Sequence, residues 1–385
     1  MGDALNREAA GQRPAPGGEA RGGIGPGVAA REYGLDWLRV FAFTVLILYH
    51  SGMIFATWPF HIKNAEQSQA LELVMVFVNR WRLPLLFFVS GAAVCFSLRR
   101  RSYGAFARER LRRLLIPVLF GIFVIVPPQI YFERLQQGAR FSSYWEFYPA
   151  VFQFVPYPQG ATSWHHLWFV VYILVYSLLG IPLFAFLRAA PGRRAVEALA
   201  RGFERLPAAI YLANLPSLAV GILLGPRWPT THNLVADWAN FTGSLITFLW
   251  GFVFASNKRL LELITRRRRE FLFVGLAAAA VFYALAATGA ARAWPPAMRL
   301  VAGNLVSGYF GMACVFALTG YARACFSRDS AALRYANEAV YPFYIVHQTI
   351  LIFIGYYVIQ WPLGLWPKLA AVAAGTFAGS WLAYE

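Results

Sequence analysis

Stretches of about 20 mainly apolar residues, enough for a helix to span a bilayer, recur from residue 35 to residue 384. Hydrophobic residues make up 58% of the 385 residues and charged residues only 14%, whereas an ordinary soluble domain carries about 25% charged residues. No stretch is polar enough to form a separate soluble domain. The sequence therefore predicts an all-α integral membrane protein.

The hydropathy pattern predicts a bundle of about ten transmembrane helices. The ten candidate spans are 35–57, 72–98, 111–133, 165–187, 207–224, 238–255, 271–289, 300–320, 337–358 and 364–384. Together they predict a single membrane domain over residues 31–385. Residues 1–30 are rich in Gly, Ala, Pro and Arg and contain no apolar core for a signal peptide, so we expect a disordered cytoplasmic tail.

Lysine and arginine divide unevenly between alternate loops, which predicts the orientation of the bundle. With the N-terminus inside, 25 of the 35 basic residues fall in cytoplasmic segments, seven fall outside and three lie within spans. Both termini are therefore predicted to be cytoplasmic. The arginines of this +17 chain cluster between apolar spans. Because topology accounts for that pattern, we expect the lipid bilayer as surroundings and no nucleic-acid partner.

Two ionisable residues share one face of the first span. Arg39 and His50 are eleven residues apart, which places them within about 20° around the helix and about 16 Å apart along its axis. An ionisable group at membrane depth is costly unless it faces a polar cavity or a partner, so both are candidates for function. The structural alternative is that His50 only makes an interhelical hydrogen bond and that Arg39 extends to the membrane interface.

Further histidines are expected at a depth similar to that of the first-span histidine. His347 lies in the ninth span one turn after Tyr344, and His165 and His166 begin the fourth span close to Trp168. Their convergence could build an acid–base site or a metal site. Metal ligation usually involves a carboxylate or a further histidine nearby. Because no carboxylate is predicted at that depth, we expect no metal.

Arginines mark the second span and the loop that follows it. Arg80 and Arg82 lie at mid-depth and point about 200° apart around a helix, so only one should face a cavity unless Pro84 breaks the regularity. We favour Arg82. The loop 99–113 contains seven arginines, a cluster that suits the phosphates of a nucleotide-bearing donor such as coenzyme A. Topology or contact with anionic lipid is the alternative explanation for these arginines.

Five blocks of sequence follow one another between residues 35 and 358. They are Leu35-Asp36-Trp37-Leu38-Arg39 with His50, Arg82 to Gly91, Arg110 with Arg113 and Pro117, His166-Leu167-Trp168-Phe169, and Tyr341 to His347. In this order the blocks resemble the acyltransferase-3 family of membrane proteins, and within it the branch of the glucan succinyltransferases.

The resemblance implies transfer of an acetyl or succinyl group from cytoplasmic acyl-coenzyme A to a hydroxyl of an extracytoplasmic carbohydrate or glycan, in a bacterial inner membrane. Arg39 and His50 match the family's essential pair. We expect His50 to act as general base and His347 to assist. The predicted donor-binding residues are Arg82, Ser90, Arg99, Arg100, Arg101, Arg110 and Arg113. The predicted acceptor-binding residues are His165, His166, Trp168 and Tyr344.

A secondary transporter is the alternative function. In that case the same buried arginines and histidines would bind an anionic solute or relay protons. A scaffold without chemistry does not explain the cost of several buried ionisable groups. An acylation assay that depends on a thioester donor separates the enzyme from the transporter.

Overall fold

Apolar side chains run along each predicted span, and a chain in hydrocarbon satisfies its backbone hydrogen bonds only as helices or as a closed barrel. The computed structural model describes residues Glu32–Glu385, and this part of the chain is helical, without a β-strand. The prediction of an all-α protein is confirmed. The predicted tail 1–30 lies outside the described residues.

Sixteen α-helices follow one another in the described chain. They are α1 (Tyr33–Met53), α2 (Gln69–Leu98), α3 (Tyr103–Arg110), α4 (Ile116–Phe120), α5 (Pro127–Gln136), α6 (Tyr144–Phe147), α7 (Trp168–Leu179), α8 (Ile181–Arg188), α9 (Ala190–Arg205), α10 (Leu215–Leu223), α11 (Trp238–Ser256), α12 (Lys258–Arg266), α13 (Arg268–Thr288), α14 (Pro296–Cys325), α15 (Ala331–Val358) and α16 (Leu365–Tyr384). Two π-helical turns, Leu111–Leu115 and Gly121–Ile125, join α3, α4 and α5 into one 34-residue helix.

Six helices in the described chain are long and apolar enough to cross a membrane: α2, the joined α3–α5, α11, α13, α14 and α15. The pair α7 and α8, bent by 52°, makes a seventh if it counts as one span. The chain is therefore a multi-pass membrane protein. The other three predicted spans also coincide with helical segments, namely α1, α16 and Pro207–Leu223. None of these three is among the six, so ten spans and the orientation of the termini stay predictions.

The two ends of the bundle differ in chemistry. The arginine-rich segments 99–113, 188–205, 258–269 and 323–334 meet at one end, which we call the basic end. Their contacts include Arg99 to the Ala255 carbonyl (2.7 Å), Arg188 to the Tyr103 hydroxyl (3.1 Å) and Arg323 to the Leu261 carbonyl (2.7 Å). At the opposite end, the loop 54–68 contacts α5, where Gln136 accepts from the backbone N–H of Lys63 at 2.8 Å. We call this the loop end.

Two segments that hydropathy treats only as connecting loops form amphipathic helices at the basic end. The buried residues are Gly192, Val196, Ala200 and Phe203 of α9 and Leu260, Leu261 and Ile264 of α12. Arg259 of α12 forms ion pairs with Glu197 and Glu204 of α9, each at 3.4 Å. A helix with one charged and one apolar face suits the membrane surface, where a search for full spans does not detect it.

Small residues bring α2 and α11 into close contact. A Cβ atom at Gly91 would lie 1.8 Å from the carbonyl oxygen of Phe248, and one at Gly251 would lie 1.9 Å from that of Phe88. Glycine permits such close approach of membrane helices. Gly91 ends the second sequence block, so this part of the block has a packing role.

Candidate active site

His50 and His347 are joined by a direct hydrogen bond between their rings. Helix α1 packs against α15, and His50 Nδ1 lies 2.9 Å from His347 Nε2. His347 Nδ1 lies 2.7 Å from the carbonyl oxygen of Tyr344, one turn earlier on the same helix. Because a carbonyl only accepts, this Nδ1 carries the proton, and neutral His347 then accepts through Nε2 from His50 Nδ1–H. This hydrogen-bonded chain leaves His50 Nε2 as an unprotonated, basic nitrogen.

His166 completes a group of three histidines, His50, His166 and His347, which we call the inner histidine cluster. The His166 and His347 ring centroids are 5.2 Å apart. His166 Nε2 lies 3.0 Å from the carbonyl oxygen of Ile345, and His166 Nδ1 lies 3.4 Å from the side-chain nitrogen of Gln129. No carboxylate is among the hydrogen-bond partners of these three rings in residues 32–385. The cluster therefore holds neutral imidazoles in defined tautomers.

A cavity of about 740 Å³ opens beside the inner histidine cluster. Its lining includes His50, Arg82, His166, Trp168 and Tyr344. Three of the predicted acceptor-binding residues thus lie on one cavity with the predicted base. The other predicted site residues are not part of this lining: Arg39, Ser90, Arg99, Arg100, Arg101, Arg110, Arg113, His165 and His347.

Arg82 is buried in the cavity wall with most of its donors unused. Its side chain is 4% exposed, and its guanidinium carbon lies 3.6 Å from the centre of the Tyr49 ring. One terminal nitrogen lies 3.3 Å from the Asn79 side-chain oxygen, while Nε and the other terminal nitrogen have no hydrogen-bond partner in the described chain. Unpaired guanidinium donors in a buried cavity suit an anion or a developing oxyanion.

The expectation that only one of the two mid-span arginines faces the cavity was wrong, because both Arg80 and Arg82 line it. The cavity extends around α2, so opposite faces of the helix contribute to its wall. Arg82 is directed towards Tyr49 of α1, whereas Arg80 lies 4.4 Å over the ring of Phe282 of α13. Arg80 also borders a smaller adjoining space with Asn214.

His232 is a cavity residue that the sequence reasoning did not single out. It lies in the loop before α11, and its ring stacks on Trp168 with centroids 4.1 Å apart. Burial lowers the pKa of His232. A lone histidine in a polar loop carries no periodic or membrane-depth signal, so only the three-dimensional packing places it at the cavity.

Three aromatic rings, Phe43, Phe169 and Tyr344, lie between the two ends of the Arg39–His50 stripe, and we call them the aromatic layer. Phe43 is four residues after Arg39 and seven before His50, so all three share one helix face. The Phe43 ring lies 5.4 Å from Tyr344 and 6.5 Å from Phe169, centroid to centroid. The Phe169 and Tyr344 centroids are 6.1 Å apart. Two of these rings, Phe169 and Tyr344, also line the cavity.

Arg39 belongs to a group of arginines at the basic end. The charges of Arg39, Arg101 and Arg113 all act on Arg110. Glu109 pairs with two members of the group, Arg101 at 2.9 Å and Arg113 at 3.3 Å. Three of the predicted donor-binding arginines, Arg101, Arg110 and Arg113, therefore lie around the Glu109 carboxylate, and Arg39 lies near Arg110 and Arg113.

Arg99 contributes to a different site. It lines a second cavity of about 700 Å³ at the basic end, together with Arg188, Arg193, Arg194 and Arg201. The last three lie on α9, which the sequence reasoning treated as a loop. Arg100, which lies beside Arg99 in the sequence, is exposed. The predicted donor-binding loop 99–113 is thus divided between two basic sites.

His165 lies apart from the inner histidine cluster, in a second group with His61 and Glu133, which we call the outer cluster. The His61 and His165 rings stack with centroids 4.5 Å apart, and His61 Nδ1 lies 2.7 Å from Glu133 Oε2. Tyr157 donates to Glu133 Oε1 at 2.7 Å. Burial and this hydrogen bond raise the pKa of Tyr157, so its phenol remains a donor.

The outer cluster corrects two expectations drawn from the sequence. His165 was grouped with His166 because the two are adjacent, yet the turn at the start of α7 directs them to different sites; His165 has a φ of 37°. The expectation that no carboxylate lies near the predicted site histidines was also wrong, because ligand atoms of Glu133, at the end of α5, and of His165 lie within 4.8 Å of each other. Glu133 also contacts His61. His61 lies in a loop 72 residues away in sequence, and hydropathy gives no sign of that contact.

Comparison with known proteins identifies the family. The fold and cavity define a multi-pass membrane protein with a buried histidine cluster beside a cavity. Residues 32–385 match the family model described as an acyltransferase domain, acyltransferase 3. The chain therefore belongs to the acyltransferase-3 family and is an acyltransferase.

Curated relatives carry the name "Glucans biosynthesis protein C". Those of Salmonella paratyphi A (strain ATCC 9150 / SARB42) and Salmonella agona (strain SL483) are each 24% identical over 338 residues, covering 86% of this chain and 85% of the relative. That of Salmonella heidelberg (strain SL476) is 26% identical over 210 residues, covering 54% of this chain and 50% of the relative. No solved structure matched the chain.

Proposed function

We propose that this protein is an O-acyltransferase of the bacterial inner membrane that moves an acetyl or succinyl group from cytoplasmic acyl-coenzyme A to a hydroxyl of an extracytoplasmic carbohydrate or glycan. The observation that carries the proposal is the hydrogen-bonded chain from the Tyr344 carbonyl through His347 to His50. It gives a basic nitrogen to a cavity that also contains the unpaired Arg82. The name of the relatives, which refers to glucans, supports a carbohydrate acceptor.

The acceptor hydroxyl gives its proton to His50 Nε2 as its oxygen attacks the thioester carbonyl carbon. The carbonyl π electrons move to oxygen, and Arg82 donates hydrogen bonds to the resulting oxyanion. When the oxyanion collapses, the carbon–sulfur bond breaks and the thiolate of coenzyme A takes the proton from His50. The products are an ester and free coenzyme A, and His50 returns to its starting state.

Arg82 offers a second use for its free donors. With a succinyl group, a carboxylate at the far end of the acyl chain can pair with the guanidinium. With an acetyl group, the developing oxyanion is the only negative charge in the cavity. Turnover with succinyl- and acetyl-coenzyme A, compared in wild type and Arg82→Lys, separates these uses. Loss confined to the succinyl donor assigns Arg82 to the acyl carboxylate.

The donor enters from the basic end, where phosphate groups meet clustered guanidinium groups. Arg39 and its neighbours Arg110 and Arg113 bind or orient it beside the aromatic layer, together with Arg100 and Arg101, while Arg99 contributes from the second cavity. The pantetheine arm reaches His50 only after the aromatic layer opens. The acceptor approaches from the loop end, where His166, Trp168 and Tyr344 form the cavity wall and His165 lies farther out. Ser90 of α2 also belongs to the proposed donor-binding residues.

In the proposed topology, the chain has ten spans and both termini are in the cytoplasm. The basic end then faces the cytoplasm and the loop end faces the extracytoplasmic side. The support is the uneven distribution of lysine and arginine and the meeting of the arginine-rich segments at one end. Single cysteines placed in the loop 134–164 of a cysteine-free protein should react with a membrane-impermeant reagent added to intact spheroplasts. Cysteines placed in 99–113 should react only after lysis, and the reverse pattern would reject the orientation.

The test of function uses the purified protein in lipid nanodiscs with labelled acyl-coenzyme A and a glucan oligosaccharide. We expect an ester on the oligosaccharide and release of one coenzyme A for each ester, both measured by mass spectrometry. A transporter of an anionic solute would instead accumulate solute in proteoliposomes and form no ester. A folded protein that makes no ester with either donor would reject the proposed reaction.

A further inference from the structure

We propose that the outer cluster is a divalent-metal site of the zinc type, formed by His61, Glu133 and His165. One ligand atom from each side chain lies within 4.8 Å of those from the other two. Two imidazoles and one carboxylate form a donor set that holds Zn²⁺ in proteins and leaves a further position for water. This site is separate from the inner histidine cluster, and the ion takes no part in the bond-making steps of the proposed acyl transfer.

The state of His165 is the observation that points to a ligand. Its Nδ1 lies 2.8 Å from the Ser163 hydroxyl, whereas its Nε2 is buried without a hydrogen-bond partner in the described chain. A buried polar atom without a partner is costly, and native proteins rarely leave one unsatisfied. A metal ion bound through this nitrogen supplies the missing partner.

The surroundings orient the ligands as supporting groups do in metal sites, where a ligating side chain is held by hydrogen bonds to its other polar atoms. Ser163 holds His165 through Nδ1. Tyr157 and Gln137 both donate to Glu133 Oε1, at 2.7 Å and 3.3 Å, which leaves Oε2 to His61 or to a metal. Among residues 32–385, the pattern therefore leaves His165 Nε2 without a partner and Glu133 Oε2 in contact only with His61.

A simple hydrogen-bonded pair between His61 and Glu133 explains less of the geometry. The pair accounts for the 2.7 Å contact, yet it leaves His165 Nε2 unexplained beside a parallel imidazole. Donor atoms around one tetrahedral zinc ion are separated by roughly 3 to 4 Å, so the metal takes the place of the shared proton with a small opening of the pair. The His61 and Glu133 side chains are 16% and 9% exposed, which provides a path for the ion.

The proposed ion would join three separate parts of the chain at the loop end. His61 belongs to the loop after α1, Glu133 to the end of α5, and His165 to the segment before α7. The residue before His61, Phe60, stacks on His50 with ring centroids 6.3 Å apart. By holding His61, the bound ion would also hold the adjacent residue Phe60, which lines the acceptor side of the cavity.

The test measures metal binding and needs neither acyl donor nor acceptor, so its result is independent of the proposed reaction. Full-length protein is purified with a tag that contains no histidine, depleted of metal, and titrated with Co²⁺ and then Zn²⁺. We expect one equivalent of Co²⁺ with the visible absorption of a low-coordinate site, and its displacement by Zn²⁺. A wild-type protein that binds no stoichiometric metal would overturn the proposal.

Variants assign the binding to these residues. His165→Gln and Glu133→Gln should abolish the cobalt spectrum, whereas His232→Gln, which changes another histidine at the loop end, should leave it intact. If His165→Gln does not fold, Ser163→Ala and Tyr157→Phe keep all three ligands and should weaken binding by roughly 10- to 100-fold. Unchanged affinity in these two, or equal loss in His232→Gln, would contradict the site.

Discussion

The inner and outer clusters contain the same kind of side chain in two different electrostatic settings. In the inner histidine cluster, the partners are backbone carbonyls, an amide and a second imidazole. In the outer cluster, Glu133 contacts His61 directly. Without a carboxylate, a relay of neutral rings ends in a free basic nitrogen. Where a carboxylate is present, its negative charge and the imidazole nitrogens lie close together and suit a bound cation. The partner, more than the histidine itself, therefore determines the chemistry.

The same distinction applies to the buried and surface arginines. Arg82 has free donors and no carboxylate partner in the described chain, whereas Arg101 and Arg113 share Glu109. An unpaired guanidinium in a cavity is available to a substrate anion or an oxyanion. A guanidinium that pairs with a carboxylate near the surface is already partly neutralised, and it should contribute less to binding or to catalysis.

The largest expected effect separates the two histidine clusters. His50→Ala should lower kcat by about 10²–10⁴-fold, the usual contribution of a general base, because both ring nitrogens of His166 are already hydrogen-bonded. His61→Ala should cost at least tenfold less. Acyl transfer is measured in nanodiscs, with donor binding as the control for folding. Equal losses in the two variants would show that the clusters do not differ in function.

The next effect tests the relay within the inner cluster. His347→Leu removes the acceptor for His50 Nδ1–H and should lower kcat by roughly 10²-fold, since the base loses its fixed tautomer. His347→Gln should retain more activity, because its amide oxygen can accept the same hydrogen bond. The ratio of the two rates is the informative measurement. If Leu and Gln variants are equally impaired, His347 acts through its ring and does not merely orient His50.

Helix positions were predictable from the sequence because apolar length and the 3.6-residue period are local properties. The same arithmetic applies to Arg39 and His50, because α1 is one continuous helix over both residues. Contacts between loops were not predictable. The contact of His61 with Glu133 joins residues 72 apart, and His232 reaches Trp168 from a loop. Neither contact leaves a periodic signal. The tautomers of the inner histidine cluster also need interatomic distances, which no spacing rule supplies.

A smaller effect tests whether a guanidinium, and not only a charge, is needed near the aromatic layer. Arg39→Lys should lower kcat/KM by roughly 10- to 100-fold, because lysine lacks the planar fork that holds a donor group in two places. The measurement is steady-state kinetics with varied acyl-coenzyme A. Near-normal turnover in a well-expressed Arg39→Lys protein would reduce Arg39 to an anchor at the membrane interface.

A still smaller effect is expected from the exposed arginines that follow α2. Replacement of Arg99, Arg100 or Arg101 by Gln, one at a time, should raise the donor KM by roughly two- to fivefold with little change in kcat. Arg101→Gln should change it least, since Glu109 already pairs with this residue. A fall in kcat at constant KM would place these arginines in the transition state and contradict a binding role.

The smallest effect is expected from the cysteines, and it tests whether the acyl group passes directly to the acceptor. Cys95 lines the second cavity at the basic end beside Arg99, which makes it the cysteine best placed to meet a bound thioester. An acyl group on Cys95 would remain at the donor end, far from His50. Cys314 is buried within α14 and Cys325 is exposed at its end. A variant lacking all three should keep nearly full activity.

The deciding measurement incubates enzyme with labelled acyl-coenzyme A and no acceptor, and then locates any label on the protein. Label on a cysteine, with loss of activity in the cysteine-free variant, would overturn direct transfer. Label on His50 would instead make this residue the nucleophile, since a histidine can carry an acyl group, and would keep the inner histidine cluster as the site of chemistry.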